Sequence, residues 1–125
     1  DPYPHLIVEG AGGVMVPINE RDMMADLIRH LGLPVLLVAR STLGTINHTL
    51  LSLAQLRREG IHILGVVMNG SRHESNRKAV EAFGRVRVFA EIETIGTFTA
   101  SALEASFRRH FGPDEAGASS DADKG

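Results

Sequence analysis

The sequence predicts an α/β fold, a parallel sheet with flanking helices, and three features of its patterning carry that expectation. Three short, nearly continuous apolar runs occur at His5–Val8, Val35–Ala39 and Ile63–Met68. Their hydrophobicity is uniform rather than alternating, as in strands buried on both faces of a helix-covered sheet. Segments with helical periodicity separate them, and the resulting strand, helix, strand, helix, strand order is the βαβ pattern.

Each element follows from local signals. The first helix is expected to start with Asp22 as N-cap, to present Met24, Leu27, Ile28 and Leu31 on one face, and to stop at Gly32 before Pro34. The second is expected to begin with Thr45 as cap and to carry Ile46, Leu50, Leu53 and Leu56 toward Gly60. A third helix is expected over Glu74–Phe83, a fourth strand over Val86–Ala90 and a last helix over Ala100–His110. From Gly112 the chain is Gly, Ala, Ser and Asp with a few charges, a composition that cannot offset ordering entropy. One domain over residues 1–111 and a disordered tail over 112–125 are therefore expected.

Composition narrows the function. A chain of 125 residues with 43% hydrophobic content can bury a modest core. The net charge is −2 and the arginines are scattered, so nucleic-acid binding has no electrostatic footprint. Without cysteine there is neither a disulfide framework nor a thiolate metal site. No apolar run approaches the roughly 20 residues of a membrane span, and Asp-Pro-Tyr-Pro has no signal-peptide character. A soluble cytoplasmic protein with no membrane partner is the expectation.

Three segments could do chemistry. Glu9 ends the first apolar run and is followed by Gly10, Ala11, Gly12 and Gly13. A carboxylate at a strand's carboxyl end can coordinate magnesium beside phosphates, or it can cap a tight glycine turn; spacing alone leaves both open. Arg40 through His48 runs from a strand end through small residues into a helix N-terminus, where free amides and the helix dipole favour an anion. An ordinary capped helix is the plainer alternative. Asn69-Gly70 follows the third run; an amide suits an adenine edge, while Asn-Gly is also a common turn pair. His5, His30, His62, His73 and His110 show no metal-ligand spacing. The only lysines, Lys78 and Lys124, do not follow a glycine-rich turn, so no G-x-x-x-x-G-K-[ST] cradle can be assembled from this sequence.

In order and spacing, Val8-Glu9-Gly10-Ala11-Gly12-Gly13, Pro17, Ala25-Asp26-Leu27, Leu33-Pro34-Val35-Leu36-Leu37-Val38, Leu43-Gly44-Thr45-Ile46-Asn47-His48 and Gly65-Val66-Val67-Met68-Asn69 resemble dethiobiotin synthetases, over roughly residues 5 to 95. The resemblance implies an incomplete P-loop NTPase-like fold, with the phosphate loop, its lysine and the second acidic metal ligand in a first half outside this sequence. It implies a homodimer that joins CO2 to 7,8-diaminononanoate as a carbamate, phosphorylates it with ATP and closes the ureido ring.

Carried over by position, Glu9 is implied to ligate Mg2+, with Gly10, Ala11 and Gly12 lining the nucleotide and diamine site. Leu43, Gly44, Thr45, Ile46 and Asn47 are implied to hold the substrate carboxylate in the partner's active site. Asn69 and Gly70 are implied to meet adenine, with Glu93, Thr94 and Ile95 completing the base pocket. Typical members carry proline where Glu93 stands and glycine where Ala90 stands, a departure at that pocket. Two other functions are compatible with the residues. One is a nonenzymatic remnant that dimerises through the Thr45–Glu59 helix and regulates a full-length homologue; the other is a cobyrinate amidase-like enzyme, against which the absence of cysteine counts.

Overall fold

The computed structural model describes residues 3–112. The elements are α1 (Met24–Leu31), β1 (Val35–Arg40), α2 (Thr45–Arg58), β2 (Ile63–Asn69), α3 (Glu74–Gly84), β3 (Val88–Ile92) and α4 (Ala100–Phe111). The three strands form one parallel sheet in the order β1-β2-β3. The α/β class with a helix-flanked parallel sheet is thus observed. The expected tail lies outside the described residues except for Gly112. Among the described residues no helix is long and apolar enough to cross a membrane.

Leu53 and Val80, from α2 and α3, are fully buried against Val66 and Met68 of β2 and Val88 of β3, with Ala39 of β1 closing the cluster. Leu37, Leu50, Ile63 and Val86 pack around it. Removal of those side chains from water is the main term holding helices to sheet, at about 25 cal/mol per Å² of apolar surface. Gly65 sits where β2 meets β3: a Cβ there would lie 2.8 Å from the Arg87 carbonyl oxygen and would also strike the Phe89 ring. Only a residue without a side chain lets the strands approach this closely.

Five expectations need correction. The apolar run His5–Val8 forms no strand; Leu6 is 81% and Ile7 91% exposed, because no strand among the described residues pairs with it. A lone extended segment leaves its backbone groups without a ladder. The run Val35–Ala39 is a strand buried on one face only. Leu37 and Ala39 point to the core, whereas Leu36 is 45% and Val38 62% exposed, because α2 and α3 cover a single side of the sheet.

Neither proposed helix cap serves as one. Asp22 is engaged by Asn19, whose amide nitrogen donates to its carboxylate at 2.8 Å, while Asp26 reaches back to accept from the Met23 amide at 2.8 Å. At α2 the N-cap is Gly44, with φ 89°, and Thr45 is buried one residue inside, 3.5 Å from the Thr49 hydroxyl. The last strand starts two residues later than expected, at Val88. The ladder slips between Val66 and Val67, so that Val66 faces Val88 but Val67 faces Ala90, and Phe89 is the extra residue of a bulge. Val86 packs on the core from the connection that precedes the ladder.

Candidate functional site

In a parallel sheet the carboxyl ends of all strands lie on one rim, which is where open α/β sheets bind ligands. Here that rim consists of Arg40 at the end of β1 with Ser41 after it, Asn69 at the end of β2 with Gly70 after it, and Ile92 at the end of β3 with Glu93 after it. Main-chain hydrogen bonds tie the three together: the Ser41 amide donates to the Asn69 carbonyl and the Gly70 amide to the Ile92 carbonyl, both at 2.8 Å. The buried Ser41 hydroxyl donates to the Ser71 carbonyl at 2.6 Å. Gly70 has φ 125°, outside the range of other residues, and turns the chain over Ser41.

On the sheet face that α2 and α3 leave uncovered, a crevice of about 540 Å³ opens at this rim. Leu36, Val38 and Val67 form its floor, Ile92, Ile95, Phe98 and Phe111 its apolar walls, and Asn69, Glu93 and Thr94 its polar groups. The arrangement follows from strand alternation: residues two apart share a face, so Asn69 stands on the side of Val67 while Val66 and Met68 enter the core. The β3 bulge has the same effect, placing Ile92 opposite Asn69. An apolar slot with an amide at one end is suited to a flat heterocycle whose edge offers hydrogen bonds.

Charged groups gather at the crevice mouth. The Arg72 guanidinium lies 3.7 Å from the Glu93 carboxylate. His110, at the end of α4, is held below its ordinary pKa first by burial and then by the charges of Arg72 and Arg109, with Glu93 opposing. Behind the rim, Arg77 pairs with Glu91 at 3.8 Å, and the Glu91 carboxylate accepts from the His73 amide at 3.2 Å.

Of the residues singled out from sequence, the crevice brings together Asn69, Glu93, Thr94 and Ile95, with Gly70 shaping the adjoining turn. Glu9, Gly10, Ala11 and Gly12 do not line it. They form an exposed segment whose contacts run to the α1 region, with Gly10 against Met24 and Gly12 against Val16. The α2 entry follows β1 at the same rim, with Leu43, Gly44 and Asn47 exposed, Ile46 half-buried and Thr45 buried, but it does not line the crevice either. Among the described residues no group of three or more acidic or histidine side chains is placed to hold a metal ion. A second depression, of about 510 Å³, is bordered by Asp22, Asp26, Arg29 and His30; its carboxylates are already engaged, Asp26 by Arg29 at 3.0 Å.

Sequence reading missed Leu36, Val38, Val67, Ile92, Phe98 and Phe111 as lining residues, and Arg72 and His110 as their polar neighbours. For Val67 a signal existed, since it lies two residues before Asn69 on the same strand face. For Phe111 and His110 none did, because their position depends on how α4 docks beside β3.

A family model described as an AAA domain matches residues 1–102. Among curated relatives, the ATP-dependent dethiobiotin synthetase BioD of Paramagnetospirillum magneticum is 57% identical over 98 residues, covering 78% of this chain and 48% of that protein. The BioD of Lawsonia intracellularis is 43% identical over 99 residues, 79% of this chain and 49% of that protein. The biotin biosynthesis bifunctional protein BioCD of Bordetella avium is 54% identical over 99 residues, 79% of this chain and 21% of that protein. The chain thus spans about half the length of the BioD relatives it matches. A parallel sheet with a ligand-sized crevice at its carboxyl rim, matched by the family model over residues 1–102, establishes that the chain belongs to this AAA-domain, P-loop NTPase-like family and is homologous to dethiobiotin synthetases.

Proposed function

We propose that this chain supplies the base pocket and part of the substrate site of an ATP-dependent dethiobiotin synthetase, a cytoplasmic homodimer acting in biotin biosynthesis. The observation that carries the reading is the convergence of Asn69 with Glu93, Thr94 and Ile95 on one crevice, in a chain 57% identical to such a synthetase over 98 residues.

On this reading the Asn69 amide hydrogen-bonds the adenine edge while Val67, Ile92 and Ile95 bury its faces. The main-chain bonds among Ser41, Asn69, Gly70 and Ile92 fix the backbone that carries Asn69, so little main-chain ordering is required on binding. The amides opening α2, from Gly44 to Asn47, face the carboxylate of 7,8-diaminononanoate bound in the partner's site, where the helix dipole favours a negative charge. Glu9 contributes one oxygen to Mg2+, and Gly10, Ala11 and Gly12 line the adjoining nucleotide and diamine site. Bound Mg-ATP supplies the phosphoryl group that activates the carbamate formed from CO2 and the diamine. Clamping that group electrostatically needs cationic donors that Lys78 and Lys124 do not provide, as neither follows a glycine-rich turn.

The test is complementation. The full natural chain carrying this sequence should restore growth without biotin to a strain lacking dethiobiotin synthetase. Purified, it should form dethiobiotin from the diamine, CO2 and ATP, and Asn69→Ala should raise the KM for ATP about tenfold, the loss of one to two hydrogen bonds, with kcat little changed. Failure to rescue by a well-folded protein, or an unaltered KM, would overturn the assignment.

A further inference from the structure

The connection from β2 to α3, Gly70 to His73, is gripped at both ends by successive residues of β3. At its near end the Gly70 amide donates to the Ile92 carbonyl at 2.8 Å; at its far end the His73 amide donates to the Glu91 carboxylate at 3.2 Å. Side chains alternate along a strand, so Ile92 enters the crevice while Glu91 lies on the α3 side. His73 is the N-cap of α3 and makes no side-chain cap hydrogen bond of its own. Glu91 supplies from another element what a capping-box glutamate supplies from within a helix: an acceptor for the N-cap amide and a negative charge at the positive end of the dipole.

We propose that Glu91 is a positioning residue for nucleotide binding: by fixing His73 it holds the turn that carries Asn69, without touching the nucleotide itself. The inference rests on the nucleotide reading above and adds to that site a residue from outside the crevice.

Two acidic side chains reach this connection from β3 and the segment after it, and their exposure decides between them. Glu93 meets Arg72 at 3.7 Å with 57% of its side chain in water, and a pair of that kind is screened and contributes little. Glu91 is only 11% exposed, and Arg77 at 3.8 Å supplies the opposite charge that makes its burial tolerable. Arg77 also donates to the Val88 carbonyl at 3.0 Å, which ties α3 to the start of the strand that carries Glu91. The His73 amide therefore meets an acceptor that is itself held, and a hydrogen bond to an ionised, shielded carboxylate is stronger than one between neutral groups. Its removal frees the far end of a turn whose near end carries Asn69.

Calorimetric titration of the full natural chain with Mg-ATP tests this. Glu91→Ala should weaken ATP binding about fivefold, whereas Glu91→Gln, which keeps an acceptor oxygen for the His73 amide, should stay within about twofold of the unaltered protein. A cap that merely stabilised the fold would act independently of Asn69. Glu91→Ala added to Asn69→Ala should instead weaken binding by less than about twofold further, since the side chain being positioned is gone. Should Glu91→Ala not fold, amide exchange in the unaltered protein replaces it: because linkage is reciprocal, saturating ATP should slow exchange at His73 about fivefold. Unchanged ATP affinity in folded Glu91→Ala, losses that multiply in the double variant, Glu91→Gln as weak as Glu91→Ala, or exchange at His73 indifferent to ATP each overturn this inference and leave the nucleotide reading standing. Absence of ATP binding by the folded, unaltered protein defeats both.

Discussion

The Ser41 hydroxyl donates to the Ser71 carbonyl across 2.6 Å, joining the exit of β1 to the turn after β2 through a side chain that is itself buried. Ser41 is consequently a brace for the Asn69 turn. Ser41→Ala should leave the Ser71 carbonyl without that partner and lower stability by about 1–2 kcal/mol, read as a shift in the urea midpoint without a change in slope. Since the turn presents Asn69, weaker nucleotide binding should accompany it. An unshifted midpoint would show that Ser71 finds another donor.

Gly65 is the point of closest approach between β2 and the bulged β3. Gly65→Ala should cost about 1–3 kcal/mol, because the added methyl meets the Arg87 carbonyl, which is main chain and cannot swing away. Thermal unfolding of the variant decides it; an unchanged Tm would mean that the bulge relaxes freely.

Arg85 ends α3 in the left-handed region at φ 46°, where a Cβ is strained and glycine is not. Arg85→Gly should therefore be neutral to stabilising by up to about 1 kcal/mol, despite the greater freedom of glycine in the unfolded chain. Its main-chain carbonyl, which accepts from Arg57 at 3.2 Å, is retained in the variant. Clear destabilisation in a urea titration would refute the strain argument.

His110 binds its proton less readily in the folded chain than in the unfolded one, owing to burial first and to Arg72 and Arg109 second. As pH falls below the ordinary histidine value of 6.5, the unfolded state takes up the proton before the native state does, so stability must decline over that window. His110→Gln should flatten this part of the stability curve, as followed by denaturant midpoints between pH 7.5 and 5 (roughly the span over which an unperturbed histidine titrates). An identical slope in the variant would assign the decline to other groups.

Much of the architecture could be read from the chain. The runs at Val35–Ala39 and Ile63–Met68, the helical spacing of Leu50, Leu53 and Leu56, and the Gly32-Leu33-Pro34 stop are local signals, because the side chains that define an element lie within a few residues of one another. Asn69 was legible for another reason: it closes an apolar run at a strand end, where a parallel sheet presents its ligands, whereas the Glu93–Ile95 stretch entered only through the resemblance to dethiobiotin synthetases. Covalent order alone places Asn69 on the carboxyl rim.

Tertiary structure decided the rest. Which face of β1 is covered depends on where α2 and α3 dock, and that left Leu36 and Val38 as the floor of a crevice instead of core. The Leu6–Val8 run has strand-forming residues, yet a strand exists only through hydrogen bonds to a neighbour, and none among the described residues supplies them. The bulge at Phe89 arises from strand pairing, and it sets Ile92 opposite Asn69. Phe111 and His110 reach the site from a segment distant in sequence, brought there by the packing of α4 beside β3, whereas Arg72 stands three residues after Asn69. Local sequence specifies backbone conformation and apolar spacing, whereas the meeting of groups far apart along the chain is a property of the packed whole.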